Sequence, residues 1–208
     1  MTSQSGFASL RGAVALALLA PVSVVAVPGA AMAQAGDPAA QTVEALNAGL
    51  IATMKAQGGQ AARARVIGPV VDRAFDIPAM ARLSVGPPWT TFSPLEQANV
   101  IAAFRAMTVA QYAANFDSYS GEKLSLVGGV ETRGTDKLVR TQLTGPGTNE
   151  SLNYRLRENG GQWRIIDVFY RNAISQIATR RSDFAGVIAK GGPGALVAHL
   201  NRLAANPK

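Results

Sequence analysis

Ser151-Leu152-Asn153-Tyr154-Arg155-Leu156-Arg157 alternates apolar and polar side chains without interruption. Successive side chains of an extended strand point to opposite faces, so Leu152, Tyr154 and Leu156 share one face and Asn153, Arg155 and Arg157 the other. One buried and one wet face is the mark of an antiparallel sheet covered on a single side. Residues 137–144 repeat the pattern, with Val139, Thr141 and Leu143 set against Arg140 and Gln142. Residues 123–127 and 162–170 supply two further extended runs, and Gly-rich or polar turns separate all four. The expectation is a sheet of about four strands.

The last hairpin turns at Asn159-Gly160-Gly161. A two-residue loop puts Trp163, Ile165 and Phe169 inward with Tyr154, whereas a three-residue loop puts Ile166, Val168 and Tyr170 there. The three-residue form uses both glycines and is the expectation, although sequence alone leaves the parity open.

Upstream of the strands the period changes to that of helices. Asp37-Pro38 is an N-cap followed by proline, and Val43, Leu46, Leu50 and Met54 recur at helical spacing up to Gly58-Gly59. Residues 61–73 form a second candidate helix, expected to be kinked or split at Gly68-Pro69. Asp76 before Ile77-Pro78 caps a short helix through Leu83, which Gly86-Pro87-Pro88 stops. Ser93-Pro94-Leu95-Glu96 is a capping box opening the longest helix, to about Phe116. Its apolar stripe runs Val100, Ile101, Phe104, Met107, Ala110/Gln111 and Ala114, flanked by Tyr112 and Phe116. After the strands, a helix from Ser175 to Lys190 breaks at Gly191-Gly192, and Pro193 starts a last one carrying Leu196, Leu200 and Leu203. Helices segregated from an antiparallel sheet give an α+β fold.

The first 33 residues read differently. Arg11 precedes an apolar run over 13–27, Pro28-Gly29 breaks any helix, and Ala31-Met32-Ala33 is the small-x-small pattern of a cleavage site. The run is too short for the roughly 20 apolar residues of a spanning helix, and Pro21 interrupts it. A signal peptide over 1–33 and a single domain over 34–208 are expected, with the periplasm as destination. The chain has no cysteine, so stability in an oxidising compartment rests on packing alone. Of 20 basic residues the leader holds one, leaving a basic domain. These residues are dispersed, which argues against nucleic acid; attraction to anionic headgroups and a merely solvated surface remain equal readings.

Chemistry is sparse. His199 is the single histidine, and no Gly-x-Ser-x-Gly elbow, phosphate loop or dinucleotide fingerprint occurs. Asp72 and Asp76 flank a turn, and Asp76 reads first as a helix cap. Asp167, an acid inside an apolar strand, reads either as a buried base or as a carboxylate bound by an Arg or by backbone amides. The base reading supports an alternative function, an enzyme acting on a hydrophobic lipid substrate.

The order of motifs resembles the MlaC family of periplasmic lipid-carrier proteins, the toluene-tolerance carriers among them. The motifs are Phe75-Asp76-Ile77-Pro78-Ala79-Met80-Ala81-Arg82-Leu83, Gly86, Trp89, Ser93-Pro94 and Ala103-Phe104-Arg105. They continue with Tyr119-Ser120-Gly121, Tyr154-Arg155-Leu156, Gly161-x-Trp163-Arg164, Asp167-Val168, Arg180-Arg181-Ser182-Asp183-Phe184 and Gly191-Gly192-Pro193. Ile174-Ser175-Gln176-Ile177-Ala178-Thr179-Arg180-Arg181 looks closest to the hopanoid-associated branch, HpnM. The commoner pattern has Asn-Tyr-Arg where this chain has Thr179-Arg180-Arg181, a departure that bears on the cargo.

The resemblance implies a twisted antiparallel sheet packed on several helices, with an apolar lipid cavity between the layers. It implies a monomer with no cofactor, moving phospholipid or a hopanoid-type lipid between an inner-membrane MCE-domain ABC transporter and an outer-membrane lipoprotein–porin complex. Each methylene moved into water costs about 0.8 kcal/mol, so two chains of some fifteen carbons face a barrier of about 20 kcal/mol. A dry slot is therefore needed, and its expected lining is Phe75, Met80, Leu83, Phe104, Tyr112, Leu126, Leu143, Tyr154, Ile166, Val168, Phe184 and Ile188. Taken singly, each of these also reads as ordinary core.

Overall fold

The computed structural model describes residues 36–171 and 173–207. The leader expected over 1–33 lies outside the described residues.

Four helices come first: α1 (Pro38–Lys55), α2 (Gly59–Ala74), α3 (Ile77–Val85) and α4 (Pro94–Asn115), with a 3-10 turn at Pro87–Thr91 before α4. Their starts follow the caps read in the sequence. Asp37 accepts from the Ala39 amide at 2.8 Å, Asp76 from the Ala79 amide at 2.9 Å, and Ser93 and Glu96 form the reciprocal box. α2 is a single helix through Pro69, so the split expected there does not occur. Ile67 and Val71, either side of the proline, are fully buried, and that packing offsets the lost backbone hydrogen bond.

The sheet has six strands: β1 (Lys123–Leu126), β2 (Glu131–Arg133), β3 (Asp136–Gly145), β4 (Thr148–Asn159), β5 (Gln162–Tyr170) and β6 (Ile174–Ser175). Its order is β1-β3-β4-β5-β6, with β2 also on β3, and every pair among them is antiparallel. The two strands missed are two and three residues long, too short for a period to show. α5 (Gln176–Ala205) closes the chain, and its backbone leaves helical geometry at Gly191 and Gly192, where the break was expected.

The hairpin corrects the expected parity. Asn159 pairs with Gln162, so the loop is the two residues Gly160-Gly161, whose positive φ values of 61° and 78° suit glycine. The register then shifts: Leu156 faces Ile165, yet Arg155 faces Asp167, leaving Ile166 as an extra residue. This bulge lets one strand satisfy parts of both parities. Ile165 lies opposite Leu156 on the turn side, and Val168 and Tyr170 lie opposite Tyr154 and Leu152 beyond it. Ile166 itself is buried at the bulge.

The core lies between the helices and the Tyr154 face of the sheet, where Val139, Tyr154, Leu156 and Ile165 are at most 1% exposed. The opposite parity is less wet than expected. Asp136, Asn153 and Asp167 are all buried there, because ion pairs and hydrogen bonds compensate the loss of water. Among the described residues no helix is long and apolar enough to cross a membrane.

Candidate functional site

A cavity of about 570 Å³ opens between the sheet and the helices. Its floor is made where α2 meets α3. The Asp76 amide donates to the Ile165 carbonyl at 2.9 Å, and Phe75 bridges Ile165 in parallel fashion, so this junction is clipped to β5. The clip sets the Phe75 ring edge-on to Tyr112, with centroids 5.5 Å apart, and Tyr112 stacks in turn on Phe116 at 5.8 Å. Met80, on the first turns of α3, completes the floor.

Two walls rise from it. The sheet contributes Leu143, Leu152, Val168 and Tyr170, all on the face that β-alternation assigns to the interior. α4 contributes Thr108, Gln111, Tyr112, Asn115 and Phe116, and α5 contributes Gln176 and Arg180. Thr108, Gln111 and Asn115 are three and four residues apart and therefore form one line along α4. The sheet wall is chiefly hydrocarbon, and the helical wall is largely polar. Glu150, from the start of β4, also lines the cavity and is paired with Arg171 at 3.1 Å.

Arg180 is half-buried in the helical wall. Its Nη2 donates to Gln111 Oε1 at 2.8 Å, and the guanidinium lies 5.0 Å over the Phe104 ring. Burial pulls its pKa below arginine's ordinary value, while Tyr112, Asp167 and Asp183 act in the opposite direction. Burial likewise pushes the Tyr112 hydroxyl upward, against the influence of Arg180. The Tyr154 hydroxyl is also raised by burial, and its oxygen has no hydrogen bond of good geometry.

Of the residues expected to line a slot, Phe75, Met80, Tyr112, Leu143 and Val168 surround this cavity. The others lie elsewhere. Phe104, Tyr154 and Phe184 are fully buried core, and Ile166 sits in the bulge. Leu83 and Ile188 pack against the core, and Leu126 borders a separate recess with Leu124 and residues of α1. Sequence reading missed the polar line on α4, along with Gln176 and Arg180. Two signals pointed to it: Gln111 stands within an apolar stripe, and Arg180 departs from the commoner pattern.

The acids resolve into structural roles. Asp167 accepts from Ser175 Oγ at 2.6 Å, the Ile177 amide at 3.1 Å and its neighbour Val168 at 2.8 Å. Its buried carboxylate thus braces the start of α5, as the backbone-amide reading had it. Asp72 takes a bidentate pair from Arg105, and Asp76 caps α3 while accepting from Asn159. His199 is half-buried and edge-on to Phe184. Among the described residues no cluster of His, Cys, Asp and Glu could hold a metal.

Comparison with known proteins bears on this layout. No curated protein matches the chain. A phospholipid-binding protein from Ralstonia solanacearum, solved in complex with a phospholipid, superposes with a TM-score of 0.68 at 23% identity. The match covers 82% of this chain and 98% of that one, so the two share a fold. The family model for the MlaC protein matches residues 41–202, a span running from the first helix through the cavity walls to the final helix. The chain therefore belongs to the MlaC family.

Proposed function

We propose that this chain is a periplasmic lipid carrier that binds a phospholipid or hopanoid-type lipid in the cavity and moves it between membrane complexes. The observation that carries the proposal is the cavity itself. Its volume of about 570 Å³ falls within the range of small-molecule sites, and its sheet wall offers hydrocarbon to hydrocarbon. Family membership and the shared fold of a protein solved with phospholipid support the same reading. The signal-peptide pattern of residues 1–33, with cleavage after Ala33, supports export. By its resemblance the chain delivers to, or receives from, an inner-membrane MCE-domain ABC transporter and an outer-membrane lipoprotein–porin complex, and works as a monomer.

The test is native mass spectrometry of the mature chain purified without detergent, followed by extraction of whatever it carries. One or two retained phospholipids, or a retained triterpenoid, is the expected result, and the mass names which. A lipid-free mass throughout, with no uptake from liposomes, would overturn the carrier reading.

A further inference from the structure

Arg180 is the cation of the cavity that the fold leaves uncommitted. A guanidinium carries five N–H donors and stays protonated at any physiological pH. One of these is committed, to Gln111, and the Phe104 ring receives one face of the group. Among the described residues no protein acceptor meets the remaining donors, and no ion pair includes Arg180. Glu150 lines the same cavity but is engaged by Arg171, and Asp167 is spent on Ser175 and the start of α5. Asp183, on the same helix, acts on Arg180 only from a distance. Placing a cation in a desolvated wall is costly without a counter-charge, so a built arrangement of this kind points to a ligand that brings one.

The position of the group fixes what that ligand presents. Gln111 and Phe104 hold the guanidinium in the helical wall of a cavity that the apolar sheet residues Leu152 and Val168 also line. A molecule filling the cavity would lay hydrocarbon on the sheet and turn its polar part to α4 and α5. A planar fork of N–H donors matches two oxygens of a phosphate.

Resting on the lipid-carrier reading, we propose that Arg180, held by Gln111, is the anion seat of the cavity, binding a phosphodiester oxygen of the cargo. The chain then selects phosphate-bearing lipids over uncharged lipids of equal hydrocarbon content, an uncharged triterpenoid included.

The test compares dipalmitoyl phosphatidylglycerol with dipalmitoylglycerol, which has the same chains and no phosphate. Each is offered from vesicles to the delipidated mature chain, and retained lipid is read by native mass spectrometry. The unaltered chain should retain the phosphate lipid at least about tenfold over the neutral one, the effect of a charge-assisted hydrogen bond. Arg180→Met should bring the ratio close to one, chiefly through loss of the phosphate lipid. Arg180→Lys, which keeps charge without the fork, should fall between. Excess inorganic phosphate should leave the bound lipid in place, and displacement of lipid by it would reassign the seat to free phosphate. Equal retention of both lipids by the unaltered chain would overturn the anion seat while leaving the carrier reading standing. So would an equal loss of both in Arg180→Met. Retention of neither lipid by the unaltered chain would remove the carrier reading and this inference together.

Discussion

Ser175 Oγ donates to Asp167 Oδ2 at 2.6 Å, joining the last residue of β6 to the middle of β5 just where α5 begins. The same serine caps Ala178, and the same aspartate accepts the Ile177 amide, so two otherwise orphaned helix donors are satisfied at one point. Asp167→Asn keeps an acceptor but replaces the other carboxylate oxygen with a donor. It should cost about 1–3 kcal/mol in urea unfolding. An unchanged unfolding curve would show the contact to be idle, and would reopen a chemical role for this acid.

Asp136 is 1% exposed and holds Arg157 and Arg155, whose side chains are 42% and 45% exposed. The hydrogen bond from Arg157 keeps its carboxyl below the ordinary value; burial opposes this, and Arg155 adds to it. A carboxylate depressed in the folded state contributes stability that is complete above its unfolded pKa of about 3.9. That contribution is lost as pH falls through the lower folded value. Asp136→Asn should therefore be less stable by about 2 kcal/mol at neutral pH, a figure kept modest by the exposure of both arginines. The gap should narrow below pH ~4. A gap constant from pH 7 to pH 3 would show that the ion pairs contribute nothing.

Gly86 sits at φ 74° and ψ −143°, a conformation reserved for glycine, at the end of α3. A Cβ there would meet Arg181 Nε at 3.4 Å, on the guanidinium that donates twice to the Leu83 carbonyl, at 2.9 and 2.6 Å. Backbone strain and a disturbed cap act together, so Gly86→Ala should lose about 2 kcal/mol of stability. Equilibrium unfolding of the two proteins decides it, and a loss of a few tenths would mean the turn relaxes freely.

Leu152 is half-buried and lines the cavity from the sheet. Leu152→Trp adds bulk where there is space rather than packing, so it should unfold within about 1 kcal/mol of the parent chain. Retained lipid should drop about tenfold, equivalent to ~1.4 kcal/mol of binding. Full retention in that variant would place the cargo somewhere other than this cavity.

Tyr154 shows what was legible in the sequence. Strict alternation around it gives the strand, its facing and hence the α+β layering, because one face of a sheet must be buried. Caps at Asp37, Asp76 and Ser93 fix the helix starts in the same local way. The bulge at Ile166 was not legible, since one extra residue in an apolar strand leaves no trace in composition. Nor was the polar wall. Gln111 reads only as one polar residue in an apolar stripe, and Thr108 and Asn115 carry no signal of their own, until α5 packs alongside and makes the three a cavity lining. Facing of strands is a local property, whereas enclosure depends on partners distant in the chain. This is why core positions such as Phe104, Tyr154 and Phe184 could not be told from cavity positions such as Tyr112 and Val168.

The backbone clip between Asp76 and Ile165 bears on compliance. With its floor sewn to the sheet, the cavity is held on that side through the backbone, whereas α4 and α5 meet each other through side chains and α5 is tied to β5 only at its first turn, by Asp167. A bulkier guest is then accommodated most cheaply by an outward lean of those two helices, the sheet acting as a fixed anvil. Elasticity of the chamber would thus reside in the same wall that carries its polar groups, so that filling it and sensing what fills it become a single motion.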